Sequence, residues 1–241
     1  LVIKIAHSAI AHGFVTAVDT SIAEAIPGVV KVLTCFDVPE RPFPTAGHPW
    51  STDPSHQDVA DRLLLNRHVR YVGDDVAVVV AETELAAQLG VAALDISYEE
   101  LPFALSTDAA LAEGAAPLHE AFPGNVLAHT TLKVGDYAAA IQEPGLIKVE
   151  GVYDTGTVQH AHLENHVCFA QAEGERITVT SSTQIPQIVR RVVGQALGVG
   201  WGKIRIVKPY IGGGFGNKQD VLYEPLCAWV CTQLGGRTVK L

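Results

Sequence analysis

The chain has 241 residues, of which 48% are hydrophobic and 18% charged, and its formal net charge is −9. That apolar content excludes intrinsic disorder, the length suffices for one large or two ordinary domains, and no apolar run reaches the ~18 residues of a membrane-spanning helix. Four cysteines, Cys35, Cys168, Cys227 and Cys231, are too few for a disulfide scaffold and fit a reducing cytoplasm.

The chain opens on Leu1-Val-Ile-Lys-Ile, which lacks the layout of a signal peptide. Phe14–Val18 reads as a strand, and Ser21 with Glu24 as a capping box starting a short helix that Pro27-Gly28 breaks. Val29–Thr34 returns as a strand. Asp75–Ala81 reads as a buried strand, Glu84–Ala93 as an Ala/Leu-rich helix and Leu94–Tyr98 as an alternating strand. Two β-α-β units of this kind predict an α+β domain over 1–100. Pro39–His56, rich in Pro, Gly, Ser and Thr, is expected as an exposed loop. Residues 101–124, with Pro102, Pro117 and Pro123, form the expected linker.

The second unit, 125–241, shows strand signals at Ile147–Tyr153, Val167–Gln171 and Ile177–Ser181. The apolar residues Ile188, Val189, Val192, Val193, Ala196 and Leu197 fall on one face of a helix over Pro186–Leu197, with Pro186 in its first turn and Gly198 as its stop. A strand over Lys203–Lys208, the loop Gly212-Gly-Gly-Phe-Gly216 and a helix over Asp220–Leu234 follow, and that helix should bury Cys227 and Cys231 as core thiols.

Charge is uneven. Residues 1–120 carry 6 basic and 17 acidic side chains, whereas Arg176–Lys218 holds seven basic residues and no acid: Arg176, Arg190, Arg191, Lys203, Arg205, Lys208 and Lys218. A solvated face explains such a run, and so does an anionic ligand, for which a phosphorylated cofactor suits an acidic chain better than nucleic acid. A glycine loop between a strand and a helix could offer backbone N–H groups to such a ligand at the helix N-terminus. It is neither GxGxxG nor a P-loop, since Gln219 follows Lys218. Spacing leaves an ordinary turn and a ligand cradle both open. His160, His162 and His166, with Glu164 among them, could ligate zinc, but no second cluster closes a tetrahedral set, and structural histidines are the other reading.

Ser181-Ser-Thr-Gln184, the helix after it and Gly212-Gly-Gly-Phe-Gly-Asn-Lys-Gln-Asp220, in that order, resemble the molybdenum-binding subunit of the xanthine dehydrogenase and aldehyde oxidase family. His7-Ser-Ala-Ile-Ala-His12, Ile26-Pro-Gly-Val-Val30, Asp37-Val-Pro39, the stretch 69–80 and Ser97-Tyr-Glu-Glu-Leu-Pro102 resemble that family's α/β hammerhead domain. The resemblance covers essentially the whole chain and is nearest to the bacterial xanthine dehydrogenase type. It implies a hammerhead domain over 1–100 and the first part of a molybdenum-cofactor-binding domain over 125–241.

By this resemblance Gln184 hydrogen-bonds an oxygen on molybdenum without being a ligand, and Gly214, Phe215 and Gly216 approach the metal and its pterin. Gln219 stands where xanthine-oxidising relatives usually carry a purine-contacting glutamate, so the purine assignment weakens here. The implied reaction hydroxylates a purine, another N-heterocycle or an aldehyde with water as oxygen source. The implied cofactor is molybdopterin, with its cytosine dinucleotide form a candidate. Electrons would leave through 2Fe-2S clusters and FAD on other domains or subunits of an oligomer. The family's catalytic glutamate has no counterpart in these residues, nor do the iron–sulfur cysteine patterns. With no methionine in the chain either, the sequence is read as an N-terminal fragment, cytoplasmic and inactive alone. A stand-alone anion-binding module and a zinc hydrolase centred on the three histidines are the competing classes.

Overall fold

A computed structural model describes residues 1–44, 60–127 and 129–241, so residues 45–56 of the expected Pro39–His56 loop lie outside the described residues. The hub is β5 (Asp75–Ala81), whose seven residues are all buried. A run of Val and Ala covered on both faces needs no polar alternation, which is why its sequence is continuously apolar. It pairs antiparallel with β1 (Val2–His7) and with β3 (Val29–Thr34). One face is covered by α2 (Glu84–Ala92), whose first turn is capped by the Thr83 hydroxyl accepting from Ala86 N–H at 3.1 Å.

A smaller three-stranded sheet sets β2 (Gly13–Asp19) between β4 (His68–Val69) and β6 (Asp95–Glu100). The second segment contributes β7 (Cys168–Glu173), β8 (Arg176–Ser181), β9 (Ile204–Val207) and β10 (Val239–Lys240). These extend the first sheet into one of seven strands, ordered β3-β5-β1-β10-β7-β8-β9. The junction is the parallel pair β1–β10, registered at Val2 and Lys240. Ile3, Val76 and Val78 of the first segment and Val189, Val192 and Trp229 of the second share one buried cluster.

α5 (Pro186–Leu197) matches its sequence reading at both ends, and Gly198 ends it in the left-handed region at φ 67°. Its apolar face and α6 (Glu224–Gln233) lie on the β7–β8–β9 side of the sheet. All four cysteines are free and buried, with Cys35 and Cys231 pushed up to about 11 chiefly by burial, so their thiols stay protonated.

Four expectations change. Ile147–Tyr153 forms no strand: among the described residues its backbone has no partner, and Val152 is 92% exposed. A strand exists only when a neighbour accepts its hydrogen bonds, which pattern alone does not supply. α1 (Ser21–Glu24) has Thr20, not Ser21, at its cap position and no capping box; Asp19 accepts from Ser21 N–H at 2.9 Å instead. The strand expected over Lys203–Lys208 is shortened because Trp201–Lys203 forms a turn of 3₁₀ helix. The helix expected from Asp220 starts at Glu224. Asp220 is extended, Pro225 fits only the first turn, and the Glu224 carboxylate accepts from the N–H groups of Leu222 and Tyr223 at 3.2 Å.

The 101–124 segment carries a one-turn helix, α3 (Thr107–Leu111), capped by Ser106. It is tied back by His12 Nδ1 at 2.8 Å from Pro102 O and by Arg70 Nε donating to Leu118 O at 3.1 Å. A second short helix, α4 (Tyr137–Ala140), sits in an exposed stretch.

Candidate functional site

The site is assembled where β8 ends. Ser181 Oγ donates to Glu224 Oε1 at 2.6 Å, and Ser182 N–H donates to Val167 O at 3.1 Å. Thr183 Oγ1 accepts from Ile185 N–H at 3.0 Å. The Ser182 hydroxyl also accepts from Val167 N–H at 3.2 Å, so Ser182 and Thr183 satisfy backbone groups where the chain has left the sheet and not yet entered α5, which explains polar residues in succession there. Gln184 follows, and its N–H donates to Lys218 O at 2.8 Å. The order Ser-Ser-Thr-Gln thus delivers the Gln184 side chain to the glycine loop.

That loop is left-handed at Gly213 (φ 91°), Phe215 (φ 51°) and Gly216 (φ 90°). Phe215 is the informative residue, because a bulky side chain there is strained, at a cost of order 1–3 kcal/mol, and this one is also 72% exposed. Gly214 is buried against Gln184: a Cβ there would lie 2.4 Å from Gln184 Oε1. Asn217 N–H donates to Gly214 O at 2.8 Å and Gln219 N–H to Gly216 O at 3.1 Å, closing the turn. Among the described residues, the N–H groups of Gly213, Gly214, Phe215 and Gly216 have no partner. Gln184 Oε1 is likewise buried without one.

The structure brings Gln184, Gly214, Phe215 and Gly216 together. Gln219 sits on the short 3₁₀ turn Asn217–Gln219 with its side chain exposed, and the expected helix N-terminus is absent from that position, since α6 begins beyond Tyr223. The loop's free N–H groups, rather than a helix end, are what it offers to a ligand. An orphaned amide end, four open N–H groups and a glycine that leaves no room for Cβ fit a polar group of the molybdopterin kind lying against the loop.

The histidines answer differently from a zinc site. His160 is exposed beside Gln159, His166 Nε2 lies 3.0 Å from Asn217 O, and His162 Nε2 lies 3.3 Å from Asn217 Nδ2. Among the described residues no group of three His, Cys, Asp or Glu is arranged to hold a metal ion. The imidazoles of His162 and His166 instead pack on each other edge to face at 5.2 Å, both against Asn217 at the end of the loop.

Two residues of this site escape a reading by motif. Lys218, one of the seven cations of the acid-free run, is 1% exposed, and its ammonium donates to Glu164 Oε2 at 2.7 Å and Glu164 O at 2.9 Å. That ammonium, with the Gly212 N–H at 3.0 Å, holds the Glu164 carboxyl below its ordinary range. The signal available was that Glu164 is acidic between two histidines while Lys218 ends an acid-free run; neither predicts burial. Of the six remaining cations, Lys203 pairs with Glu175 at 2.9 Å, and four, Arg176, Arg190, Arg205 and Lys208, line an open groove that includes no glycine-loop residue.

Residues 118–241 match the model of the molybdopterin cofactor-binding domain, and residues 1–102 that of the aldehyde oxidase and xanthine dehydrogenase a/b hammerhead domain. Over 239 residues the chain is 47% identical to the xanthine dehydrogenase molybdenum-binding subunit of Escherichia coli O157:H7, covering 99% of this chain and 31% of that protein. It is 32% identical to the carbon monoxide dehydrogenase large chain of Hydrogenophaga pseudoflava, across 98% of this chain and 30% of that one. The aldehyde oxidoreductase structure from Desulfovibrio desulfuricans superposes with a TM-score of 0.87 at 26% identity, covering 100% of this chain and 26% of the other. The chain spans about a third of the length of the curated relatives it matches. With both halves matched in the right order and the fold shared, this chain belongs to the xanthine dehydrogenase and aldehyde oxidase family of molybdopterin-binding oxidoreductases.

Proposed function

We propose that this chain is the hammerhead domain (1–100), linker (101–124) and first cofactor-contacting part (125–241) of a cytoplasmic molybdenum hydroxylase that oxidises a purine or related heterocycle. The observation that carries it is the buried, partnerless Gln184 amide oxygen against Gly214, next to the strained Phe215 of the glycine loop. The substrate class is supported by 47% identity to a xanthine dehydrogenase subunit. Bound molybdopterin supplies a redox centre able to take two electrons from an electron-poor carbon, with water as the oxygen source.

This chain's own contribution is to hold that group in place. The Gln184 amide binds one polar atom of it, and the open N–H groups of Gly213–Gly216 bind others. Phe215, exposed and fixed in one backbone geometry, walls the position. Gln219 lies at the substrate side. The proton-handling base, the FAD and 2Fe-2S carriers and the rest of the molybdenum subunit lie outside these residues, so residues 1–241 alone are inactive, and the cytosine dinucleotide is the candidate form of the cofactor.

Metal analysis of the enzyme purified from its native host tests the reading. Molybdenum near one per protomer is expected; zinc or no metal overturns it. In that enzyme Gln184→Ala should lower kcat on the order of ten- to a hundredfold, because the side-chain amide that hydrogen-bonds the cofactor is lost, with KM little changed. A rise in KM alone would make Gln184 a substrate contact. Gln219→Glu should shift kcat/KM toward xanthine over a non-purine heterocycle by roughly ten- to a hundredfold, and equal change for both would make Gln219 structural.

A further inference from the structure

We infer that Glu164 and Lys218 are a positioning pair that cinches the glycine loop at both ends and thereby fixes Gln184 and Phe215 against the cofactor. The inference rests on the molybdenum-enzyme reading above and gives that site two residues that touch the loop rather than the cofactor.

One carboxylate oxygen does the cinching. Glu164 Oε2 accepts from Gly212 N–H at 3.0 Å and from the Lys218 ammonium at 2.7 Å, so the first residue of the loop and the residue just past it meet at a single atom. Backbone bonds run beside it: Glu164 N–H donates to Gly212 O at 3.2 Å, and the ammonium also donates to Glu164 O at 2.9 Å. Gly212 has no room for anything larger, since a Cβ there would lie 2.5 Å from the Glu164 Cβ.

Between those two fixed ends the five residues Gly213–Asn217 must close a short circuit, and the left-handed geometry at Phe215 is what closure demands. Lys218 reaches further through its main chain, whose carbonyl accepts the Gln184 N–H at 2.8 Å. A shift of the ammonium therefore moves the Gln184 backbone and the loop together. Lys218 is buried where a cation is costly unless paired, and Glu164 is the carboxylate that pairs it.

The test uses the full-length enzyme as wild type, Glu164→Gln, Lys218→Met and the double variant. Hydrogen–deuterium exchange is read on cofactor-free protein at the amides of Gly212, Asn217 and Gln184, with α5 as internal reference. Molybdenum per protomer, kcat per molybdenum and KM are read on enzyme as isolated. Each single variant should speed loop exchange at least tenfold with α5 unchanged, lower molybdenum content at least threefold, and lower kcat with KM within twofold. The double variant, which removes both charges, should hold more molybdenum than Glu164→Gln. If Glu164→Gln does not accumulate, the comparison of Lys218→Met with the double variant decides. Wild-type loop exchange and molybdenum content in the variants would overturn the inference. So would equal acceleration of loop and α5, which would make the pair a support of the fold alone. A wild type without molybdenum would sink the enzyme reading, while the exchange comparison would still judge the clamp.

Discussion

At the glycine loop a buried ammonium meets a carboxylate, whereas at a second polar seam, at Pro102, two histidine rings in series end on the Arg70 guanidinium. There His12 Nδ1 faces Pro102 O at 2.8 Å, a carbonyl that can only accept, so that nitrogen carries the proton. His12 Nε2 must then accept, and the 3.1 Å contact with His68 Nε2 holds one proton, donated by His68. His68 Nδ1 in turn accepts from Arg70 Nη2 at 3.1 Å, and Arg70 Nε donates to Leu118 O. One seam is a single strong charged contact; the other is a relay whose polarity is fixed at its ends. Removing one charge of the first leaves the other unpaired, at a cost set by how deeply that other charge is buried, while the second spreads its cost over several hydrogen bonds.

The charged seam should show the larger and more asymmetric loss. Glu164→Gln leaves the Lys218 ammonium buried without a counter-charge and is expected to cost about 3–5 kcal/mol. Lys218→Met leaves a carboxylate that is 32% exposed and still bonded to Gly212 N–H, so its cost should be nearer 1–2 kcal/mol. Urea denaturation of both variants measures the difference. Equal losses would show that the two charges are equally solvated and would remove the contrast with the histidine relay.

In the histidine seam His68→Ala is expected to cost about 1–3 kcal/mol, because His12 Nε2 and Arg70 Nη2 lose their shared partner and Phe14 loses a ring packed at 4.4 Å. The loss should be local. Limited proteolysis between residues 101 and 124 ought to accelerate, since Pro102 and Leu118 are what the relay holds. Unchanged cleavage there would mean that the segment is held by its apolar contacts instead.

How much of this was legible beforehand follows from range. Asp75–Ala81, Val29–Thr34 and Pro186–Leu197 declare themselves because burial and periodicity are written locally, and the structure returns the same limits. Gln184 and the glycine loop were found through an ordered set of motifs, and the fold brings them together. Ile147–Tyr153 misled because alternation of apolar residues says nothing about a partner strand. Lys218 and Glu164 stayed hidden because a lysine buries only when a distant carboxylate meets it, here 54 positions away. The histidine relay was invisible for the same reason: His12 and His68 are separated by 56 positions and become neighbours only through the β2–β4 pairing.

The smallest expected effect separates the two seams by pH. Burial, reinforced by the positive charge of Arg70 and the neighbouring His12 and His119, lowers His68 from 6.5 to about 4. A histidine whose folded value is depressed binds its proton more readily when unfolded, so its contribution is complete above 6.5 and is lost as pH falls from 6.5 toward 4. Glu164 behaves as a depressed carboxylate: its contribution is complete above its ordinary 4.5 and is lost only as pH falls through a still lower value. Because His68 is only partly buried, solvent screening limits its share to on the order of 1 kcal/mol, or roughly 2–4 °C in Tm for a chain this size. Melting followed from pH 7 to pH 3 should therefore show a shallow fall between 6.5 and 4, absent in His68→Phe, and a further fall below 4.5, absent in Lys218→Met. Other carboxylates titrate in the lower window, so each step is read as the difference between variant and parent. A shallow step that survives His68→Phe would place the proton on another group of the seam, and His119, whose value is lowered mainly by burial, would be the one to replace next.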